Sequence, residues 1–121
     1  MAERGAIHTV IDATRDLPLP PTARWPDGVC DRAVLQRHGV ELSIFAPRPR
    51  DHQQPHSRDE LYFVARGSAT FAMDDVTRTV GPGDTIFVPA GVPHRFHDIG
   101  ADFATWVVFF GPDSNGERDE R

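Results

Sequence analysis

The apolar residues of this chain fall in short alternating or near-continuous runs, each closed by glycine, proline or aspartate. A period of two marks a strand with one buried face, and apolar runs of this length between turn formers read as strands rather than helices. On that pattern Val40 to Phe45, Leu61 to Ala65, Ala69 to Met73, Val76 to Val80, Thr85 to Val88, His94 to Asp98 and Phe103 to Phe110 are strands. Arg66-Gly67-Ser68, Asp74-Asp75 and Gly81-Pro82-Gly83-Asp84 turn the chain between them, and Pro89 to Pro93 is a rigid connector. No long segment has helical periodicity. In residues 1–39, Ile7 to Ile11 has strand character, whereas Leu17 to Gly28 holds four prolines and must run irregularly. The chain therefore divides into an irregular arm at 1–39, a β-domain at 40–112 and a polar tail at 113–121 that is expected to be mobile. Short antiparallel strands at this spacing build a sandwich or a small barrel.

Length and composition set limits on what such a domain does. At 121 residues and 39% hydrophobic content the chain is expected to fold as one domain around a real core. Its net charge of −5 argues against a nucleic-acid partner. No apolar run approaches the roughly 20 residues of a membrane helix. Met1 to Gly5 leads into no apolar stretch of the secretory kind, so the expected location is cytoplasmic. All 13 basic residues are arginine, which excludes Schiff-base chemistry and a phosphate-binding Walker lysine. The single Cys30 excludes an intrachain disulfide and a two-thiolate metal site, and reads as a small buried hydrophobe. Histidine and carboxylate chemistry remains.

The residues that carry it lie in two clusters. If residues 52–56 enter the barrel as a strand, His52, Gln54 and His56 share one face. Glu60 follows His56 after three residues, and His94 opens a later strand behind the Pro/Gly connector. Gln54 to Glu60 followed by Gly67 resembles the first motif of the cupin superfamily, roughly H-x-H-x(3,4)-E-x6-G. Gly83, Pro89, Gly91 and His94 are similar to the second, G-x5-P-x-G-x2-H-x3-N, after a short spacer. The resemblance covers about residues 40–111. It implies an all-β double-stranded β-helix, the cupin jelly-roll barrel, with one divalent metal ion inside. It also implies a homodimer, for which Phe103 to Phe110 and the arm at Leu17 to Gly28 offer apolar surface.

Carried across residue by residue, His56, Glu60 and His94 match the metal ligands, and Gln54 stands where the family has its first histidine. Arg48 replaces the leading glycine of motif one, and Asp98 the closing asparagine of motif two. Two imidazoles and a carboxylate suit Fe(II), which is favoured here, and also Mn(II), Zn(II) or Ni(II). Gln54 is expected as a weak fourth ligand through its carbonyl oxygen, or through a metal-bound water. His52 is its alternative: along a regular strand it lies about 13 Å from His56, too far to share an ion bound at about 2.1 Å, but a bulge at Pro55 would bring it in.

Alternation also sets the walls of the cavity. If Glu60 points inward, so do Tyr62 and Val64, and His94 brings Phe96 and Asp98 with it. On the last strand, either Thr105, Val107 and Phe109 or Trp106, Val108 and Phe110 face in. Tyr62 and Asp98 are the candidate catalytic side chains, with Asp98 a proton acceptor or else a buried structural carboxylate. Arg58 and Arg95 either meet an anionic ligand at the mouth or are exposed strand-end charges. His8, His38 and His97 have no part in the site. The expected activity is that of a metal-dependent oxygenase on a small organic molecule. The alternatives are a metal-dependent isomerase, lyase or hydrolase, and a non-catalytic ligand-binding protein.

Overall fold

A computed structural model describes residues 4–113; apart from Asp113, the tail expected to be mobile lies outside the described residues. Eight strands follow one short helix: α1 (Val10–Thr14), β1 (Asp31–Arg37), β2 (Val40–Phe45), β3 (Asp59–Arg66), β4 (Ala69–Met73), β5 (Val76–Val80), β6 (Thr85–Val88), β7 (His94–His97) and β8 (Ala104–Phe110). They form two antiparallel sheets, β1-β2-β8-β3-β6 and β5-β4-β7. This is the all-β jelly roll that the resemblance implies.

The arm differs from its sequence reading. Ile7 to Ile11 is not a strand: Thr9 accepts a hydrogen bond from the Asp12 amide at 3.1 Å, and this cap starts α1. Asp31–Arg37, assigned to the irregular arm, is a strand of the large sheet, so the sheet begins before residue 40. It is an edge strand whose last three residues are exposed, and a strand with so little buried face has almost no alternation to read. Leu17 to Gly28 is irregular, crossed by a single bridge between Leu19 and Val29.

The sheets pack through their inward residues. Tyr62 and Val64 on β3, with Val107 and Phe109 on β8, meet Phe71 on β4 and Phe96 on β7. The Phe96 ring lies 4.9 Å from Phe71, 5.1 Å from Tyr62 and 5.0 Å from Phe103, centroid to centroid, so β7 is wedged into an aromatic core. On β8 the inward set is therefore Thr105, Val107 and Phe109. Trp106 faces outward and joins the cluster of Ala13, Leu17, Ile44 and Ala46, so the chain's own arm covers part of the large sheet's outer face. No helix among the described residues is long and apolar enough to cross a membrane.

Candidate metal centre

β3 and β7 lie in different sheets, and their facing residues bring the two sequence clusters together. Glu60 and Tyr62 point inward from β3, while His94 begins β7 with its ring buried. His56 precedes β3 in a segment without regular structure, held in place by the connector that carries His94. Gly91 N donates to His56 O at 2.6 Å, and Ala90 N to an Asp59 carboxylate oxygen at 2.9 Å. The Pro/Gly turn of the second cluster thus docks on the first, which sets the distance between the two histidines. Gly91 has φ +81°, a conformation that glycine adopts without cost.

Among the described residues, His56, Glu60 and His94 form a group whose ligating atoms all lie within 4.8 Å of one another, every member buried. Glu60 Oε1 is 2.8 Å from His94 Nε2 and 3.7 Å from His56 Nε2. Ligands around a small divalent ion bound at about 2.1 Å are themselves about 3 Å apart, so these separations match a shared ion. His94 Nδ1 lies 2.9 Å from Val92 O; donating there, it leaves Nε2 as the ring atom that faces Glu60. Burial pulls the His94 pKa down, but the neighbouring Glu60 carboxylate outweighs it and the net shift is upward. A carboxylate and an imidazole this close in a buried site call for a positive charge between them, which either a proton or a cation supplies. The donor set therefore fits a divalent metal.

Two further side chains complete the cluster. Tyr62, fully buried, donates its hydroxyl hydrogen bond to Gln53 Oε1 at 3.0 Å and lies 3.1 Å from His94 Nε2. Gln53 Oε1 is also 3.1 Å from His56 Nε2. Gln54, expected as the fourth ligand, is exposed, and Gln53 takes the inward position instead. The expectation assumed strand alternation through 52–56, but the segment is irregular up to Asp59, so parity counted from His56 does not hold. His52, the alternative ligand, lies outside the centre with its Nε2 2.5 Å from Asp27 Oδ2; that contact is what chiefly holds the Asp27 carboxyl below its usual range.

Asp98, expected to face inward with His94 and Phe96, is instead exposed and turns the chain after β7 with φ +47°. His8, His38 and His97 are exposed and lie outside the His56–Glu60–His94 group. Arg58 donates to the carbonyls of Gly39, Phe109 and Gly111 and ties strand ends together. Arg95 stands at the mouth, on the rim of a cavity of about 420 Å³ that reaches His94 and Gln53. Gln54, Pro55, Met73, Asp74 and Pro93 also line this opening. Sequence reading did not find Asp51 or Gln53. Both are buried polar residues in a loop, and only tertiary contacts mark them out.

Comparison with known proteins agrees with this geometry. Residues 42–110 match the cupin domain family. A Streptomyces coelicolor protein of uncharacterised function, SCO3923, is 45% identical over 82 residues, which is 66% of this chain and 78% of that protein. The dimethylsulfoniopropionate lyase DddQ of Ruegeria pomeroyi is 38% identical over 61 residues, which is 50% of this chain but only 29% of the lyase. Among solved structures, TT1209 of Thermus thermophilus superposes with a TM-score of 0.60 at 22% identity, covering 74% of this chain and 89% of the other. A cupin superfamily protein of Desulfitobacterium hafniense superposes with a TM-score of 0.56 at 25% identity, covering 66% and 74%. With both motifs in place, the two-sheet barrel around them and the matched domain spanning 42–110, the chain belongs to the cupin family.

Proposed function

We propose that this cupin is a metal-dependent lyase acting on a small carboxylate- or carbonyl-bearing molecule in the barrel cavity. The observation that carries the reading is the Tyr62 hydroxyl, buried beside the His56–Glu60–His94 group and 3.1 Å from His94 Nε2. His56, Glu60 and His94 would hold a divalent ion, which when bound would supply Lewis-acid activation of a substrate oxygen. Tyr62 Oη, buried beside that group, would then be the base. It takes the proton from the carbon next to the substrate carboxylate or carbonyl; that C–H electron pair forms a C=C bond, and the group on the adjacent carbon leaves with its own bonding pair. Phe71 and Phe96 pack on the Tyr62 ring, at 5.9 and 5.1 Å between centroids, and shield it from water. The likeness to a dimethylsulfoniopropionate lyase supports this class of reaction and suggests that compound as the first substrate to test.

The two-histidine, one-carboxylate set also supports an oxygenase, since it leaves coordination positions open on an Fe(II) ion. One experiment separates the readings. Protein purified without chelator is expected to hold about one equivalent of divalent metal, with Glu60→Ala and His94→Ala losing it. Metal-loaded protein is then offered dimethylsulfoniopropionate and other β-substituted carboxylates with and without O₂. Elimination that proceeds without O₂ and drops at least 100-fold in Tyr62→Phe, with metal retained, supports the lyase. Turnover that needs O₂ supports the oxygenase, and metal content unchanged in Glu60→Ala/His94→Ala removes both.

A further inference from the structure

Asp51 is a buried carboxylate in the loop before β3, at 2% exposure, and three N–H groups converge on it. The Gln53 amide donates to Oδ1 at 2.9 Å, the Gln53 side-chain Nε2 to Oδ2 at 2.7 Å, and the Phe96 amide to Oδ2 at 2.9 Å. Two consequences follow from this arrangement. A carboxamide has one donor end and one acceptor end, so fastening Nε2 to Asp51 turns Oε1 toward the metal group. The Phe96 bond also ties the Gln53 loop to β7, two residues from His94, so one carboxylate aligns contributions from both sequence motifs. Gln53 is itself 1% exposed, and its Oε1 stands 3.1 Å from His56 Nε2, the separation of adjacent ligands on one small ion.

We propose that Gln53 Oε1 is the fourth protein ligand of the cation and that Asp51 is the positioning residue that aims it. This rests on the metal reading of His56, Glu60 and His94. A neutral amide oxygen is a weaker donor than the first imidazole of the cupin motif, whose place in the sequence is Gln54. Gln53 therefore tightens binding without closing the site, and yields its position to a substrate oxygen more readily than histidine would.

The probe is cobalt(II) alone, whose visible absorption reports its coordination, with affinity measured by calorimetry. Gln53→Met keeps the side-chain length and removes the oxygen. It is expected to weaken cobalt binding about tenfold or more and to change the spectrum. Asp51→Ala is expected to change the spectrum in the same direction. The double variant Asp51→Ala/Gln53→Met should bind no more weakly than Gln53→Met, since Asp51 acts through Gln53. Gln53→Met with wild-type affinity and spectrum, alongside Glu60→Ala that no longer binds cobalt, overturns this proposal and leaves the metal reading standing. Wild-type protein that binds no cobalt overturns both. If Asp51→Ala does not fold, Gln53→Met decides alone.

Discussion

Glu60 and Tyr62 are two residues apart on one strand and so share a face, yet they bring different chemistry to the same few ångströms: an anionic ligand and a phenol. His56 and His94 flank them, and each group is buried, so every electrostatic interaction here is stronger than in water. Residues a short distance outside that enclosure are separate from it. His52 is paired with Asp27 on the outer side of the loop, and Asp98 is exposed beyond the end of β7. The expected outcome is that His52→Ala and Asp98→Ala each keep one equivalent of metal and wild-type turnover, as read by elemental analysis and a rate assay. Metal loss in His52→Ala would return it to the ligand set.

At the scale of elements, the turn between β3 and β4 controls how the two sheets meet. Gly67 has φ +68°, and a Cβ placed there would lie 2.7 Å from both N and Cα of Phe103 and 2.7 Å from an Asp102 carboxylate oxygen. Backbone cannot give way as a flexible side chain can, so Gly67→Ala adds a steric clash to the roughly 1–2 kcal/mol that a left-handed conformation costs an L-residue. A loss of about 2–4 kcal/mol in unfolding free energy is expected, measured by chemical denaturation. Gly39 and Gly83 also have positive φ but nothing within 4 Å of an added Cβ, so alanine there should cost only the conformational part. A Gly67→Ala protein no less stable than Gly39→Ala would contradict the packing argument. Gly67 is also the glycine that closes the first cupin motif, and the contact with Phe103 is its physical reason for being glycine.

At the scale of the molecule, the large sheet has two outer halves with different cover. The arm packs over Ile44 and Trp106, so this part of the apolar surface expected on Phe103 to Phe110 is covered within the chain. The other half is bare: Phe87 is 50% and Phe63 39% exposed, Leu61 and Val108 stand beside them in register, and the Phe87 and Phe110 rings are 6.4 Å apart. We propose that a second copy covers this face, making a homodimer. Light scattering at micromolar concentration should give twice 13.5 kDa for the wild type and 13.5 kDa for Phe63→Asp/Phe87→Asp. A wild-type particle of 13.5 kDa would sink the proposal.

Much of this architecture is legible in the one-dimensional pattern, and the reason is period. Val40–Phe45, Ala69–Met73, Val76–Val80 and Thr85–Val88 are strands with the bounds that their apolar runs and turn residues suggest, because each packs at least part of one face on the core or ends at a turn former. The spacing of His56, Glu60, Gly67, Gly83 and His94 carries the metal group, since motif spacing is local to each strand and turn. Period-two counting stops being informative where the chain leaves the sheet. In 51–56 it picks Gln54, while the hydrogen bonds of Asp51 and the Gly91–His56 contact set the loop so that Gln53 faces in. Strand β1 and helix α1 were hidden because an exposed edge and a single capped turn leave little hydrophobic signature. The sequence by itself determined seven of the eight strands, the fold family and the three residues of the candidate metal group. Only the tertiary structure decided which glutamine faces that group and which carboxylate holds it, because those choices depend on hydrogen bonds between segments as much as 45 residues apart.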